Sequence, residues 1–281
     1  MTIQWYPGHM TKTFRLIEQD LKIVDVIIYV LDSRAPYSSV NPKLSSMTQN
    51  KPIIYVLNKA DLVQEQDLKK WIAHFTTDNS LAIALDSTMT NSTRALVPLI
   101  KKLLEEKIAK AKAKNINKII RTMVVGVPNT GKSTLVNNLC GKARTKTGNK
   151  PGVTRGKQWV TIDNGIEVLD MPGTLWPSFE DKTIAKHLAY LGSIKDDVLN
   201  VEELAFDFIA EFRKGDNDIF EQRYGVVTTG KETIEIFDEI CEAKKCMLKG
   251  NEPDYERCAR MIIDDFRKGR FGKIILDEYA K

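Results

Sequence analysis

Short apolar runs alternate with longer amphipathic stretches along the first half of the chain. Four runs are rich in β-branched residues and almost continuously apolar: 24–31, 51–58, 80–86 and 119–126. Such runs are typical of strands that helices cover on both faces. The helical patterns lie between them, at 11–22, 65–76 and 92–114. This alternation predicts βαβ units, that is, an α/β fold with a mostly parallel sheet and helices on both faces.

A hairpin is predicted beyond the middle of the chain. Two shorter apolar runs, 158–163 and 166–170, are separated only by Asn164-Gly165. This dipeptide favours the two-residue turn that joins antiparallel strands. We therefore expect one antiparallel pair beside the parallel strands.

Helical periodicity replaces the strand pattern after Pro177. The helical stretches are 201–215, 231–250 and 253–274. We place a boundary near 178–190, and expect an α/β domain over 1–178 followed by a small all-α domain over 179–281.

The composition is that of a globular protein. Of the 281 residues, 42% are hydrophobic and 28% are charged, so a sizeable core can form. No apolar run approaches the roughly 20 residues that span a bilayer, and the first residues show no secretory signal. The four cysteines and three histidines have no CxxC pair and no zinc-ligand spacing, which predicts reduced thiols. We expect a cytoplasmic protein with no membrane partner.

The net charge of +5 is unevenly distributed. Residues 101–121 contain eight basic and two acidic residues, and 142–157 contain six basic residues and no acidic one. Residues 195–240 instead carry five basic and thirteen acidic residues. This segregation favours a polyanionic partner that touches some faces of the protein and not others.

The strongest motif is GVPNTGKS at 126–133, between an apolar strand and a helical pattern. Gly126 and Gly131 permit a tight loop whose backbone N–H groups converge on phosphate oxygens. Lys132 is expected to neutralise the β- and γ-phosphates, and the Ser133 hydroxyl to bind Mg²⁺. The other predicted nucleotide contacts in this loop and helix are Asn129, Thr130 and Thr134.

A second motif, NKAD at 58–61, selects the base. It follows a predicted strand, at the edge of an α/β sheet where ligands bind. The Asp61 carboxylate can accept from both N1–H and the N2 amino group of guanine, whereas adenine offers no such donor pair. Asn58 is expected to help hold the loop and the base, and Lys59 is a further predicted nucleotide contact. Together the two motifs predict a guanine nucleotide, GTP or GDP.

Two further segments complete the predicted site. DMPG at 170–173 ends the hairpin, so that Asp170 would hold Mg²⁺ through water and the Gly173 amide would contact the γ-phosphate. Thr154, in the basic loop KPGVTRGK, could close its hydroxyl onto Mg²⁺, although an ordinary loop could contain the same residues.

The order of these motifs is unusual: NKAD precedes GVPNTGKS, here called the phosphate loop, whereas most GTPases place the phosphate loop first. Here the chain resembles the circularly permuted GTPases, and most closely the ribosome biogenesis GTPase A family. The resemblance covers the whole chain in this order: WYPGHM at 5–10, LDSRAP at 31–36, NKAD, GVPNTGKS, PGVT and DMPG, then a helical domain. Beyond about residue 178 it is architectural only.

The resemblance implies a fold, an activity and partners. The fold is a circularly permuted P-loop GTPase domain followed by an all-α domain that binds rRNA. The activity is GTP hydrolysis by an assembly factor of the large (50S) ribosomal subunit, acting as a monomer on the precursor subunit and not on DNA. His9 would position water, and Asn129 matches GTPases that bind K⁺.

This chain departs from the family at two places. Ser33 stands where the family usually has Ala. The sequence LDSTMTN replaces the Ser-Ala-Lys loop that supports guanine, so Ser87 and Thr88 are predicted to take that position. Thr174 stands where Ras-like enzymes place a water-orienting Gln, which predicts slow intrinsic hydrolysis.

The sequence leaves the partner open. A basic cluster near the end of the chain could bind RNA phosphates: Arg257, Arg260, Arg267, Lys268, Arg270 and Lys273. Phe266 and Phe271 lie among these residues and could stack on bases, although helical spacing favours a core position for Phe266. Alternatives are a GTPase that acts with another RNA partner, as in tRNA modification, or a nucleotide-dependent scaffold with little turnover.

Overall fold

A computed structural model describes residues 8–141, 158–163, 165–177, 179–213 and 218–279. These residues separate into two compact units. The first, here the sheet unit, comprises the described residues of Gln4–Phe179 and Ile275–Lys281. The second, the helical unit, is Glu180–Ile274. The division falls one residue after the expected boundary. The last segment was not expected in the sheet unit.

The sheet confirms the mostly parallel α/β prediction. The six strands of the described chain form one sheet in the order β3-β2-β1-β4-β6-β5. All neighbours pair in parallel except β5 and β6, which form the predicted antiparallel hairpin. The bounds are β1 Val26–Asp32, β2 Ile53–Asn58, β3 Ser80–Leu85, β4 Ile120–Val125, β5 Gln158–Asp163 and β6 Ile166–Asp170. Asn164 lies outside the described residues.

Helices cover both faces of the sheet because successive side chains of a strand point to opposite sides. In β1, Ile27, Tyr29 and Leu31 pack into one buried cluster, whereas Val26, Ile28 and Val30 pack into another. The first cluster is completed by α1 (Gly8–Leu21) and α3 (Glu65–Phe75). The second is completed by α4 (Leu96–Leu103) and α6 (Lys132–Cys140).

The long helix predicted over 92–114 is broken. A 3-10 turn, Ser92–Ala95, precedes α4, and α5 (Glu105–Ala113) follows it after Leu104 leaves the helical conformation at φ −111°, ψ 16°. Leu104 is the last buried residue of the apolar stripe, and α5 has no buried residue. The sheet therefore supports the helix only as far as its apolar face continues.

A short helix that the sequence pattern did not predict follows β1. Helix α2, Pro42–Thr48, begins at Asn41, whose side-chain oxygen accepts from the backbone N–H groups of Lys43 and Leu44. Proline at the first helical position has no N–H to leave unpaired there. The loop from Ser33 to Asn41, here called the β1–α2 loop, lies beside the site described below.

The helical unit is all-α, and its core combines aliphatic side chains with a cluster of aromatic rings. Its helices are α7 Lys182–Tyr190, α8 Val201–Phe212, α9 Ile219–Tyr224, α10 Thr233–Ala243 and α11 Tyr255–Arg267. Phe208 contacts the rings of Phe220, Phe266 and Phe271. Phe266 and Phe271 are both buried, so the expectation that Phe271 stacks on bases is wrong. Its ring is needed in the core.

Several charges of the predicted basic cluster are paired within the helical unit. The Arg267 guanidinium forms two bonds of 2.8 Å with the Asp196 carboxylate and donates to the carbonyl oxygens of Ala189 and Tyr190. Arg267 therefore ties α11 to the end of α7. Three other cations form ion pairs close by in sequence: Arg260 with Glu256, Lys268 with Asp264, and Arg270 with Asp265.

The length of the helices and the state of the cysteines bear on two of the sequence-based expectations. No helix among the described residues is long and apolar enough to cross a membrane. The four cysteines are free thiols, of which Cys140 is half-buried and Cys241, Cys246 and Cys258 are buried.

Candidate functional site

The predicted motifs meet at the carboxyl edge of the parallel strands. The phosphate loop connects β4 to α6, NKAD begins at the last residue of β2, and DMPG begins at the last residue of β6. Because β2 and β6 flank the β1–β4 pair, their ends lie on either side of the phosphate loop. The edge of the sheet thus assembles segments that are far apart in sequence.

Glycine is required at three points where backbones approach closely. Gly126 has φ +148°, and a β-carbon there would lie 2.3 Å from the carbonyl oxygen of Val30. Gly131 has φ +90°, and a β-carbon there would lie 2.3 Å from Nδ2 of Asn58. A β-carbon on Gly173 would lie 2.7 Å from the Pro128 Cα. These contacts bring NKAD and DMPG against opposite sides of the phosphate loop.

Asn58 joins the guanine-recognition motif to the phosphate loop. Its Nδ2 donates to the carbonyl oxygen of Thr130 at 2.7 Å, and its Oδ1 accepts from the backbone N–H of Ser87 at 3.0 Å. Asn58 is 1% exposed and Ser87 is 2% exposed. One buried amide therefore holds three loops that follow three different strands.

Lys59, itself half-buried, forms a second bridge through an ion cluster with the buried residues Asp32 and Arg34. Its Nζ lies 2.6 Å from Oδ2 of Asp32 and donates to the carbonyl oxygen of Asn129 at 2.9 Å. The Arg34 Nε and Nη2 atoms donate to the two oxygens of Asp32 at 2.9 and 2.8 Å. Burial alone would raise the pKa of the Asp32 carboxyl, but the two adjacent cations hold that pKa well below its ordinary value.

Lys132 is buried inside the phosphate loop, with a relative exposure of 6%. Its Nζ donates to the carbonyl oxygen of Val127 at 2.7 Å. Burial lowers the pKa of Lys132 to about 8, and only the charge of Asp170 opposes this effect. A cation desolvated in this way is set to interact strongly with a phosphate anion.

Ser133 and Asp170 form the corner expected to hold magnesium. The Ser133 hydroxyl donates to Oδ2 of Asp170 at 2.9 Å. The other carboxylate oxygen, Oδ1, is buried and has no hydrogen-bond partner. Burial raises the pKa of Asp170 despite the Ser133 bond and the Lys132 charge. A hydroxyl beside an unpaired carboxylate oxygen is a donor set that suits a hydrated magnesium ion, so the residues fit this metal.

Three other predicted contacts, Asp61, Thr88 and Thr130, differ in their exposure and in their hydrogen-bond partners. Asp61 is exposed in the 3-10 turn Ala60–Leu62, which follows Lys59 in the left-handed conformation. Thr88 is exposed, and its hydroxyl donates to the Asp86 side chain rather than to the phosphate loop. The Thr130 hydroxyl bonds back to Val127 within the loop.

Two predicted residues cannot be placed in the site. Thr154 and the whole basic stretch 142–157 lie outside the described residues. His9 lies in the first turn of α1, but its side chain is outside the described part of the structure. Thr134 is half-buried in the first turn of α6.

Two residues that support the site, Asn138 and Asn41, belong to none of the predicted motifs. Asn138 of α6 donates through Nδ2 to the carbonyl oxygens of Ser87 and Met89, at 2.9 and 2.6 Å, and accepts from the Thr93 hydroxyl. Asn41 donates to the carbonyl oxygen of Thr174 at 3.0 Å. In the sequence, Asn138 is recognisable only as a polar residue among the apolar positions of a helix, and Asn41 only as a helix cap. Neither signal indicates which distant residue will be the hydrogen-bond partner.

A phosphate loop and a guanine-recognition loop joined at one edge of a parallel sheet define a P-loop GTPase, here with the motif order of a circularly permuted one. A family model described as "50S ribosome-binding GTPase" matches residues 121–237. The chain belongs to the ribosome biogenesis GTPase A family. It is 37% identical to that protein of Priestia megaterium over 280 residues, 99% of this chain and 97% of the relative.

A less similar relative and two solved structures also match this chain over almost its whole length. The ribosome biogenesis GTPase A of Thermotoga maritima is 31% identical over 272 residues, 97% of this chain and 93% of the relative. The crystal structure of GNP-bound YlqF from T. maritima matches with a TM-score of 0.67 and 25% identity, over 95% of this chain and 98% of that one. A GDP-bound structure of the same protein matches equally well. The chain is a guanine-nucleotide-binding GTPase of ribosome assembly.

Proposed function

We propose that this GTPase promotes a late step in the assembly of the large ribosomal subunit. In its GTP form it binds rRNA of the precursor subunit, in the cytoplasm and as a monomer, and hydrolysis of GTP releases it. Family membership and the "50S ribosome-binding GTPase" match support the choice of subunit. The uneven charge along the chain supports a polyanionic partner.

The observation that carries the proposal is the bridge from Asn58 to Thr130, because it brings the base-recognition loop and the phosphate loop to one nucleotide. In this arrangement Asp61 accepts from guanine, and Ser87 closes the far side of the base pocket. An Asp61→Asn variant tests the base contact. It should bind GTP more weakly and xanthosine triphosphate more strongly, since the amide presents a donor where the carboxylate accepts. Loss of both ligands to the same degree would contradict the assignment.

The phosphates are bound by backbone N–H groups of the loop, by Lys132 and by the start of α6. Magnesium would be held by Ser133, by Asp170 through water, and by Thr154. When bound, the metal neutralises charge that develops on the phosphate oxygens. Lys132 would leave the Val127 carbonyl for a phosphate oxygen, and the Gly173 amide would donate to the γ-phosphate.

Hydrolysis needs a residue that orients water, and Thr174 is poorly suited to this role. Its side chain is 1% exposed, and its hydroxyl is enclosed. Intrinsic turnover should therefore be slow, with His9 supplying the missing function when the partner is bound. A His9→Ala variant should keep its affinity for GTP and lose partner-stimulated turnover. Full stimulation in this variant would refute the catalytic role of His9.

Asn129 is proposed to serve a potassium ion beside the phosphates. It occupies the turn of the phosphate loop at φ +63°, and its carbonyl is already held by Lys59. A bound K⁺ would supply positive charge where other GTPases use an arginine. Equal turnover in K⁺ and Na⁺ would remove this part of the proposal.

The rRNA contacts are proposed for the basic stretch 142–157 and for exposed cations of the helical unit. Arg257 and Lys273 are exposed there. Arg267 is assigned a structural role instead, because four hydrogen bonds hold its guanidinium.

One experiment tests the whole proposal. Multiple-turnover GTP hydrolysis is measured with purified large subunits, with small subunits and without either, in potassium and in sodium. We expect stimulation by the large subunit only. Equal stimulation by both subunits, or by tRNA, would transfer the activity to another RNA partner. A failure of every RNA to raise the rate would favour a nucleotide-dependent scaffold.

A further inference from the structure

The segment Ile275–Tyr279, here called the return segment, comes back to the sheet unit after the helical unit. Ile275 packs against the buried cluster that includes β1, and the Tyr279 ring makes edge contacts with Trp71 and His74 of α3. None of the sequence motifs includes this segment. The return segment is therefore packed against the sheet unit at both of its ends.

Polar contacts of the return segment converge on the β1–α2 loop. The backbone N–H of Leu276 donates to the carbonyl oxygen of Arg34 at 2.7 Å. Asp277 accepts from the backbone N–H of Ser38 at 2.8 Å and from the Ser38 hydroxyl at 2.5 Å. Asp277 is 7% exposed and Ser38 is 1% exposed. A buried carboxylate bonded in this way holds the loop firmly, because hydrogen bonds to charged groups are among the stronger ones.

The β1–α2 loop in turn reaches both sides of the nucleotide site. At its start, Arg34 forms the bidentate pair with Asp32, and Asp32 holds Lys59 on the phosphate loop. In its middle, the Ser39 hydroxyl accepts from the backbone N–H of Asp32. At its end, Asn41 donates to the carbonyl oxygen that follows the DMPG turn.

We propose that Asp277 is a positioning residue for guanine nucleotides. By fixing Ser38 it sets the β1–α2 loop, and through Arg34 and Asp32 it sets Lys59 against the carbonyl oxygen of Asn129. The proposal rests on nucleotide binding alone and does not depend on the ribosomal partner.

Substitutions of Asp277 in the full-length protein test the proposal. Asp277→Ala removes both bonds to Ser38, so we expect the Kd for fluorescent GDP to rise about 5- to 30-fold, mainly through faster dissociation. Asp277→Asn keeps an oxygen for the Ser38 N–H and should recover most of the affinity. Glu278→Ala changes an exposed neighbour and should bind like the unchanged protein.

A second pair of variants separates positioning from general loss of stability. Ser80→Ala removes a buried bond of 2.8 Å, from the hydroxyl to the Phe75 carbonyl, at the other edge of the sheet. It should lower the melting temperature of the nucleotide-free protein and leave the Kd unchanged. Ser38→Ala removes the hydroxyl bond to Asp277 and keeps the backbone N–H that also donates to it, so its Kd should rise more than twofold but less than in Asp277→Ala. This variant decides the outcome if Asp277→Ala fails to fold. A Kd within twofold of the unchanged protein in Ser38→Ala, and in Asp277→Ala if it folds, would overturn the proposal.

Discussion

Replacement of Asn58 by alanine tests the central contact of the site. Asn58 makes two buried hydrogen bonds, of 2.7 Å to the Thr130 carbonyl and 3.0 Å to the Ser87 N–H. A net contribution near 1 kcal/mol for each bond, plus the cost of leaving a buried partner unpaired, gives about 1.5 to 3 kcal/mol of lost binding free energy. That loss corresponds to an increase in Kd of about 10- to 150-fold. GDP and a GTP analogue should lose equal factors, because Asn58 is bonded away from the DMPG turn.

Asn58→Asp provides a stricter test of the same geometry. The carboxylate can still accept from Ser87, but its second oxygen would face the Thr130 carbonyl, with which Asn58 now forms its 2.7 Å bond. Repulsion between these two oxygens in a buried position should make this variant bind more weakly than Asn58→Ala at pH 8. Fluorescent GDP titration measures both variants, with Asn79→Ala as an exposed control. The reasoning is refuted if Asn58→Asp binds better than Asn58→Ala, or if Asn58→Ala changes the Kd less than twofold.

Three further predictions follow from individual side chains. Burial lowers the pKa of Lys132 to about 8 in the free protein, and bound phosphates favour the charged form. The Kd for GTP should therefore be constant below about pH 7.5 and rise up to about tenfold per pH unit above 8; a flat profile to pH 9.5 would contradict this. Gly173→Ala places a β-carbon 2.7 Å from Pro128 and 2.9 Å from the Lys132 ammonium, so single-turnover hydrolysis should fall on the order of 100-fold. Arg267→Ala should lower the free energy of unfolding of the helical unit in urea by about 2 to 4 kcal/mol. The exposed Arg257→Ala should change it by less than about 0.5 kcal/mol. Equal effects of the two substitutions would refute the structural role of Arg267.

The strands and the motifs were predictable because each has a local signal. Each strand begins and ends within two residues of its apolar run, since a run buried on both faces ends where the chain leaves the sheet. The phosphate loop and NKAD are contiguous, and their geometry follows from a few residue types. The bonding of Asn58 to Thr130, 72 residues away, could be expected only from the function of the two motifs.

Other features depend on contacts that a linear pattern does not contain. Helices α2, α7 and α9 have seven, nine and six residues, which is too short for a clear 3.6-residue periodicity. The basic cluster near the end of the chain suggested a surface for RNA, yet Arg267 and Phe271 serve the packing of the helical unit. The partners that define these two roles, Asp196 for Arg267 and Phe208 for Phe271, are distant in sequence and become neighbours only in three dimensions.

The return segment affects how this protein can be divided for experiments. A fragment that stops after Phe179 would contain every nucleotide-binding motif. It would lack the return segment, which is bonded to Ser38 and contacts α3. Weak nucleotide binding by such a fragment would reflect the missing peptide rather than a defective motif. Supplying residues 275–281 in trans, or fusing them through a flexible linker, is the appropriate way to study the catalytic half in isolation.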